Sequence, residues 1–154
     1  MTSLCCNVLK ALVGKTLATA ESCTGGMIGQ LLTAVPGASA VYKGGIISYW
    51  SAVKRELLGV DDRVLCENGP VSALVAEAMA AGARKALDAD VAVSVTGLAG
   101  PDGDEFGHPV GTVFVGYCDE QNQTVKEFHF SGDREAVRHQ AAEAALKLIL
   151  ANCE

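Results

Sequence analysis

Segments of helical periodicity alternate with short apolar runs along the whole chain, and this alternation is what most limits the fold. Leu4, Val8 and Leu12 recur at the spacing of one helix face, and a β-branched and apolar run at residues 16–20 follows them. Residues 91–96 alternate valine with small residues, which predicts a strand that is apolar on both faces. Because strands that alternate with helices pack as layers, we predict an α/β fold.

One connection makes the predicted sheet mixed. The segment from Asp119 to Thr124 is too short to hold a helix, so the strands at residues 112–117 and 124–130 form an antiparallel hairpin. The length of 154 residues is that of one ordinary domain. We therefore predict a single layered domain over residues 1–154, a mixed β-sheet flanked by helices. The strand order does not follow from the sequence.

Capping residues and glycines mark the ends of the predicted helices. Ser51 and Ser72 precede helical segments and can accept from their first N–H groups, and Gly59 can end the first of these helices. Gly44 and Gly45 interrupt the second predicted strand, which indicates a bulge or a close approach of backbone. We predict helices over residues 4–12, 27–33, 52–58 and 73–87, and a last helix from Asp133 onward.

Charge and cysteine content narrow the class of partner. The formal net charge of −6 argues against a nucleic-acid binder, which normally carries a basic patch, but one or two arginines can still bind a small anion. None of the six cysteines forms a C-x-x-C pair, so zinc and thioredoxin signatures are absent. The chain starts without a signal peptide and has no stretch long and apolar enough to cross a bilayer. We expect a cytoplasmic chain with free thiols and no membrane partner.

The turn after the first predicted strand is the first candidate site. A glycine-rich turn before a helix presents unpaired N–H groups that can hold a phosphate or an oxyanion, and Ser22 adds a hydroxyl there. Gly25 and Gly26 would let a substrate approach the backbone. Periodicity alone favours a helix cap over catalysis, with Ser22 or Thr24 accepting from the helix N–H groups. Cys23 is a rival nucleophile, although adjacent residues point in different directions.

A serine nucleophile needs a base, and the sequence offers two kinds. The histidines, His108, His129 and His139, lie in no recognisable triad signature. A lysine can serve if burial lowers its pKa. Lys54 lies five residues after Tyr49, just past the second strand, so its side chain could return to the edge of the sheet. The alternative is a solvated surface lysine.

Two further stretches could bind an anionic ligand. Arg134 and Arg138 share one face in the first turns of the last helix, where cations oppose the helix dipole. Either neighbouring carboxylates or a ligand phosphate would compensate them. A strand that ends in a glycine-rich loop marks the edge where open α/β sheets bind ligands. This loop contributes Thr96, Gly97, Ala99 and Gly100. The acidic residues that follow match neither an EF-hand loop nor a zinc signature, so we predict no metal site.

Six motifs occur in order along residues 4–150. They are Ala20-Glu21-Ser22-Cys23-Thr24-Gly25-Gly26, Tyr49 with Lys54 before Leu58-Gly59-Val60, Gly69-Pro70-Val71-Ser72, Thr96-Gly97-Leu98-Ala99-Gly100-Pro101-Asp102-Gly103, Pro109-Val110-Gly111-Thr112-Val113, and Ser131-Gly132-Asp133-Arg134 with Arg138. Together they resemble the CinA C-terminal domain family, whose characterised members are nicotinamide-mononucleotide amidases. Pro70 stands where this family pattern leads us to expect alanine, and Trp50 where a small polar residue is common.

The resemblance implies a reaction and roles for residues. It implies hydrolysis of the carboxamide of nicotinamide mononucleotide to nicotinic acid mononucleotide and ammonia, in pyridine nucleotide salvage, without a metal or cofactor. It maps the nucleophile to Ser22 and the activating lysine to Lys54, with Tyr49 nearby. It also implies the stand-alone form of the domain and a homo-oligomer. The expected substrate-binding residues are Thr24, Gly25, Gly26, Thr96, Gly97, Ala99, Gly100, Arg134 and Arg138.

Within that reaction, N–H groups of residues 24–26 or 97–99 would hold the oxyanion. For the 5′-phosphate we expect Arg138 first and Arg134 second, because a bidentate arginine suits a phosphate. The competing hypothesis is a non-catalytic nucleotide-binding or regulatory module, linked to competence or the response to DNA damage. Such a module would keep the glycine loops and arginines without needing Ser22 and Lys54 together.

Overall fold

A five-stranded mixed sheet forms the centre of the computed structural model, which describes residues 1–153. The strands lie in the order β2-β1-β3-β4-β5. Their bounds are β1 Leu17–Glu21, β2 Tyr42–Ile47, β3 Val91–Gly97, β4 Thr112–Cys118 and β5 Gln123–His129. The first three strands run parallel, and β4 and β5 form an antiparallel hairpin that continues from β3. The predicted mixed sheet and hairpin are confirmed.

Helices cover both faces of this sheet. One face carries α1, α2 and α6, and the other carries α3, α4 and α5. The helices are α1 Thr2–Ala11, α2 Met27–Thr33, α3 Ser51–Leu58, α4 Asp62–Asn68, α5 Ala73–Ala86 and α6 Arg134–Asn152, with a 3-10 turn at Ala38–Ala40. The predicted α/β class with flanking helices is therefore confirmed.

The sheet packs unusually closely against α5 because small residues face each other there. Ala18 and Ala92 turn their side chains to this face of the sheet, where α5 presents alanines. The Ser94 hydroxyl donates to the carbonyl of Ala76 on α5 at 2.5 Å. A Cβ on Gly116 would lie 2.5 Å from that same carbonyl oxygen. At Gly116 the strand and α5 are so close that only a hydrogen atom fits on the Cα.

Three local features differ from the sequence expectations or refine them. The N-cap of α3 is Trp50 and makes no side-chain cap, so the predicted cap at Ser51 is wrong. Helix α4 was not predicted, and Asp61 begins it by accepting from the N–H of Arg63. Of the bulge or close approach expected at the paired glycines, the register shift of β2 against β1 lies just before them, at Lys43, and Gly45 itself approaches Thr19 too closely to carry a Cβ.

The topology places several chain segments at one edge of the sheet. Since β1, β2 and β3 are parallel, the segments that follow them emerge at the same edge. The chain passes from β1 to β2 on one side, while β3 lies on the other side of β1. A crevice outside the carboxyl ends of β1 and β3, where the order reverses, is the usual ligand site of open α/β sheets.

Helix α5 should not tolerate a methyl group at Gly82. An added Cβ would collide with the backbone of Leu58 at the end of α3. A glycine-to-alanine change inside a helix ordinarily stabilises it by up to about 1 kcal/mol. Here we expect Gly82→Ala to lower the free energy of unfolding by about 1–3 kcal/mol, because overpacking outweighs helix propensity. Urea denaturation measures the change, and a variant more stable than the parent would contradict it.

Candidate active site

Ser22 begins the turn that follows β1 at the carboxyl edge of the sheet. Its N–H donates to Val95 of β3 at 3.0 Å, and its carbonyl accepts from the N–H of Gly25 at 3.0 Å. The backbone turns sharply after these contacts, since Gly25 and Gly26 both have positive φ, at 59° and 101°. Two backbone hydrogen bonds therefore hold Ser22 at the start of a tight turn, and 7% of its surface is exposed.

Lys54 lies against this serine, buried to 1% exposure. Its Nζ donates to the Ser22 Oγ at 2.9 Å, to the carbonyl of Ser48 at 2.6 Å and to that of Tyr49 at 3.3 Å. Helix α3 brings the side chain back over the end of β2. The pairing of β1 with β2 is extended by the N–H of Ser48, which donates to Glu21 at 2.8 Å. The two strand ends thus place the serine and the two carbonyls around one ammonium.

Burial lowers the pKa of Lys54 to about 8. The neutral amine has two N–H bonds and one lone pair. When the carbonyls of Ser48 and Tyr49 take the two N–H bonds, the lone pair faces the hydroxyl of Ser22. The arrangement is that of a serine nucleophile with an amine base. Of the two sequence interpretations of Lys54, a return to the sheet edge is the one observed.

Cys23 does not share this environment. It is buried, and burial raises the pKa of its thiol to about 11. A thiolate is the reactive form of cysteine, so this thiol is a weak nucleophile near neutral pH.

The N-terminus of α2 is already occupied by a carboxylate of the chain itself. Glu21 is 2% exposed, and its two oxygens accept from the N–H groups of Ile28 at 2.9 Å and Gly29 at 3.1 Å. The N-cap residue, Gly26, has no side chain to contribute. The cap by Ser22 or Thr24 that periodicity favoured is therefore wrong.

Free amide donors remain in the turn itself. Within residues 1–153 the N–H groups of Cys23, Thr24 and Gly26 make no hydrogen bond. In the loop after β3 the N–H of Leu98 donates to Thr112 at 2.9 Å and is not available. The N–H of Ala99 in that loop makes no hydrogen bond among the described residues, so both segments predicted to hold an oxyanion keep free amides.

Three predicted substrate-binding residues surround the crevice without touching the serine–lysine pair. Thr96 is buried, and its hydroxyl donates to the carbonyl of Pro70 at 2.7 Å. Pro70 takes part in this contact through its backbone carbonyl, which alanine would supply as well. Arg134 donates from Nη1 to Gly100 at 2.6 Å and from Nη2 to the hydroxyl of Tyr49 at 3.2 Å, so it joins the segments after β2 and β3.

The phenol of Tyr49 is 57% exposed, and its contact with Lys54 is made by its backbone carbonyl instead. Two hydroxyls are fully buried at this edge: that of Thr24, which the sequence analysis expected to bind substrate, and that of Ser48, which it did not select. The side chains of Thr24 and Ser48 have no hydrogen-bond partner within the described part of the chain. No sequence signal marks such hydroxyls, since their burial depends on how β1 and β2 end together.

Arg138 binds the turn that carries the nucleophile. Its Nε donates to the carbonyl of Cys23 at 2.9 Å, and its Nη2 donates to the carbonyl of Thr24 at 3.2 Å. A cleft of about 720 Å³ opens beside it between α2 and α6. This cleft is lined by Met27, Gln30, Leu31, Asp133, Arg134, Glu135, Arg138 and His139.

Each histidine pairs with a carboxylate, and His139, whose Nε2 lies 3.7 Å from Glu135, also lines the cleft beside Arg138. His108 contacts Asp104, and His129 contacts Glu127 on β5. The residues that the structure describes include no cluster of three or more potential metal ligands. Among the same residues, no helix has both the length and the apolar character needed to span a bilayer.

Comparison with known proteins identifies relatives over nearly the whole chain. The family described as the CinA C-terminal domain matches residues 2–153. A CinA-like protein of Geobacter sulfurreducens is 48% identical over 133 residues, which are 86% of this chain and 32% of that protein. One of Synechococcus sp. is 59% identical over 115 residues, 73% of this chain and 27% of that protein. The chain thus spans about a third or less of these curated relatives.

Solved structures match the same fold. A competence-damaged protein (CinA) superfamily protein from Klebsiella pneumoniae has a TM-score of 0.96 at 33% identity, covering 99% of this chain and 96% of that one. A competence/damage inducible protein from Agrobacterium tumefaciens has a TM-score of 0.96 at 34% identity, covering 99% and 95%.

The pKa of Lys54 gives an expected pH dependence for Ser22. At pH values well below the Lys54 pKa of about 8, the lysine is an ammonium ion and cannot accept the serine proton. Labelling of Ser22 by a fluorophosphonate should therefore rise as pH increases through that value and level off above it. Lys54→Met should lose the rise, and Ser22→Ala should lose the label. A flat rate in the parent protein from about pH 6 to about pH 10, well either side of that value, would contradict the assignment of the base.

Proposed function

Because the chain belongs to the CinA C-terminal domain family, we propose that it hydrolyses the carboxamide of nicotinamide mononucleotide to nicotinic acid mononucleotide and ammonia. The observation that carries this proposal is the 2.9 Å contact between the Lys54 Nζ and the Ser22 Oγ, at the ligand-binding edge of the sheet. A serine activated by a buried amine suits acyl transfer from an amide.

The reaction would proceed through an ester of Ser22. Neutral Lys54 takes the hydroxyl proton as Oγ bonds to the amide carbon, and the tetrahedral intermediate carries a negative oxygen. The Lys54 ammonium then returns the proton to the amide nitrogen, the C–N bond breaks, and ammonia leaves. Lys54 next takes a proton from water, whose oxygen attacks the ester. Breakdown of the second intermediate restores Ser22 and releases the carboxylate.

The negative oxygen would be held by amides of the turn. The N–H groups of Cys23 and Thr24 are free and lie within two residues of the nucleophile. An N–H of the residue after the nucleophile is a common oxyanion donor in hydrolases whose serine lies on a strand-to-helix turn.

For the substrate phosphate, the contacts reverse the order expected from the sequence. Arg138 already uses Nε and Nη2 on buried turn carbonyls. Arg134 is exposed, and its 3.2 Å contact with the Tyr49 hydroxyl can be exchanged for a phosphate oxygen at little cost. We therefore place Arg134 first as the phosphate ligand, at the mouth of the cleft between α2 and α6.

A non-catalytic nucleotide-binding module remains the second candidate. The contact of a buried, low-pKa amine with a serine hydroxyl argues against it, because a module that only binds a nucleotide has no use for a base at that position. Such a module would bind nicotinamide mononucleotide without releasing ammonia, and Ser22→Ala would leave binding unchanged.

The direct test is ammonia release from nicotinamide mononucleotide by the purified protein. Ser22→Ala should abolish release while the variant stays folded, because the hydroxyl is the attacking group. Cys23→Ala is the matched control and should retain activity, since its thiol is buried and protonated. Absence of ammonia release by the parent protein, or loss with Cys23→Ala alone, would contradict the proposal.

The phosphate assignment is tested by comparing two substrates. Arg134→Met should lower kcat/KM for nicotinamide mononucleotide by the equivalent of about 1.5–3 kcal/mol, as for losing a hydrogen bond to a charged group. Turnover of nicotinamide riboside, which has no phosphate, should change little. A parent enzyme that uses both substrates equally well would rule out a phosphate site.

A further inference from the structure

Arg138 spans two successive carbonyls of the nucleophile turn. It extends from α6 next to Val137, which is fully buried in the core, so its backbone is firmly anchored. Its Nε lies 2.9 Å from the carbonyl oxygen of Cys23, and its Nη2 lies 3.2 Å from that of Thr24. A guanidinium is a rigid planar fork, so this pair of contacts fixes the two peptide planes relative to each other.

The peptide between Cys23 and Thr24 is the one whose orientation matters for an oxyanion. In a trans peptide the N–H points opposite to the C=O. With the carbonyl of Cys23 bound to Arg138, the N–H of Thr24 points away from the arginine and has no acceptor within the described residues. The carbonyl of Ser22 is bound to Gly25, which turns the N–H of Cys23 outward in the same way.

This peptide also lies at the centre of the tight turn. Ser22 and Gly25 are joined across the turn, so Cys23 and Thr24 are its two central residues. The two common types of such turns differ by a flip of the peptide between the central residues. A flip would reverse the Thr24 N–H. It is opposed by the contact of Arg138 with the Cys23 carbonyl and also by Thr24 itself, because the flipped turn needs a positive φ that a β-branched residue disfavours.

We propose that Arg138 is a positioning residue that holds the Cys23–Thr24 peptide so that the Thr24 N–H faces the oxyanion formed on the substrate carbonyl. The inference rests on the proposed amide hydrolysis, which creates that oxyanion. It gives Arg138 a role in the rate of the chemical step, distinct from binding of the substrate phosphate.

Kinetics on two substrates separate these roles. Arg138→Met should lower kcat about 100-fold, as for removal of one oxyanion donor, and by the same factor on nicotinamide mononucleotide and nicotinamide riboside. KM should change little, and the pH profile should keep the apparent pKa of about 8 that belongs to Lys54. Arg134→Met, four residues away on the same helix, is the matched control and should lose activity on the nucleotide alone.

A boronic acid tests the turn without requiring turnover. 3-Pyridylboronic acid carries no phosphate. Its boron can bond to the Ser22 Oγ while the serine proton passes to Lys54, which leaves a negative tetrahedral boronate in the place of the oxyanion. Its affinity should fall with Arg138→Met in proportion to kcat and should be unaffected by Arg63→Met, a change to an exposed arginine on α4. If the parent protein binds the boronate but releases no ammonia from the nucleotide, the proposed substrate fails while the role of Arg138 is still measured.

Chemical rescue distinguishes loss of the guanidinium group from misfolding of the variant. Added guanidinium should partly restore the kcat and the boronate affinity of Arg138→Ala, whereas Arg138→Lys, which cannot span both carbonyls, should stay impaired. Unfolding midpoints of each variant establish the folded fraction in the assay. A loss confined to nicotinamide mononucleotide with unchanged boronate affinity would overturn the proposal, and so would an unchanged kcat on both substrates.

Discussion

The buried contact between Lys54 and Ser22 is the interaction on which the site depends. An amine enclosed by a hydroxyl and two carbonyls is poised between its two protonation states, because desolvation disfavours the cation while the carbonyl dipoles favour it. Neither carbonyl comes from a side chain. Both belong to the segment that leaves β2, so the parallel pairing of β2 with β1 sets the positions of Lys54, the proposed base, and of Ser22, the proposed nucleophile.

The glutamate that precedes the serine gives this turn a character different from other strand-turn-helix sites. In phosphate-binding loops the helix N-terminus faces the ligand and supplies its partial positive charge. Here the carboxylate of Glu21 neutralises that end of α2 from within the core. The charge formed on a substrate in the crevice would then meet amides of the turn, and the arginines would lie behind or beside it.

The sequence predicted the layers, the hairpin and most element boundaries because these depend on local periodicity and turn length. Sequence analysis also selected Ser22 and Lys54 as site residues. It did so mainly through the motif resemblance, because periodicity alone favoured a helix cap. It did not predict the cap supplied by Glu21. This glutamate ends β1, seven residues before the N–H of Ile28 from which it accepts, and that spacing matches no local capping pattern. It could not find the contact of Arg138 with Cys23, since 115 residues separate the partners and only the packing of α6 brings them together.

The close approach of α5 to the sheet also bears on how this domain can diverge. Where Gly116 and Ser94 lie directly against the helix backbone, even one extra methyl group has no room, so natural variation on that face should be nearly frozen. At the edge of the crevice Gly97 is similarly restricted, but exposed side chains on the rim have room to change. Trp50, 74% exposed and one residue from a carbonyl that holds the lysine, can change without disturbing any layer. Changes in ligand preference would therefore come from substitutions at exposed rim positions, while residues between α5 and the sheet would change very little.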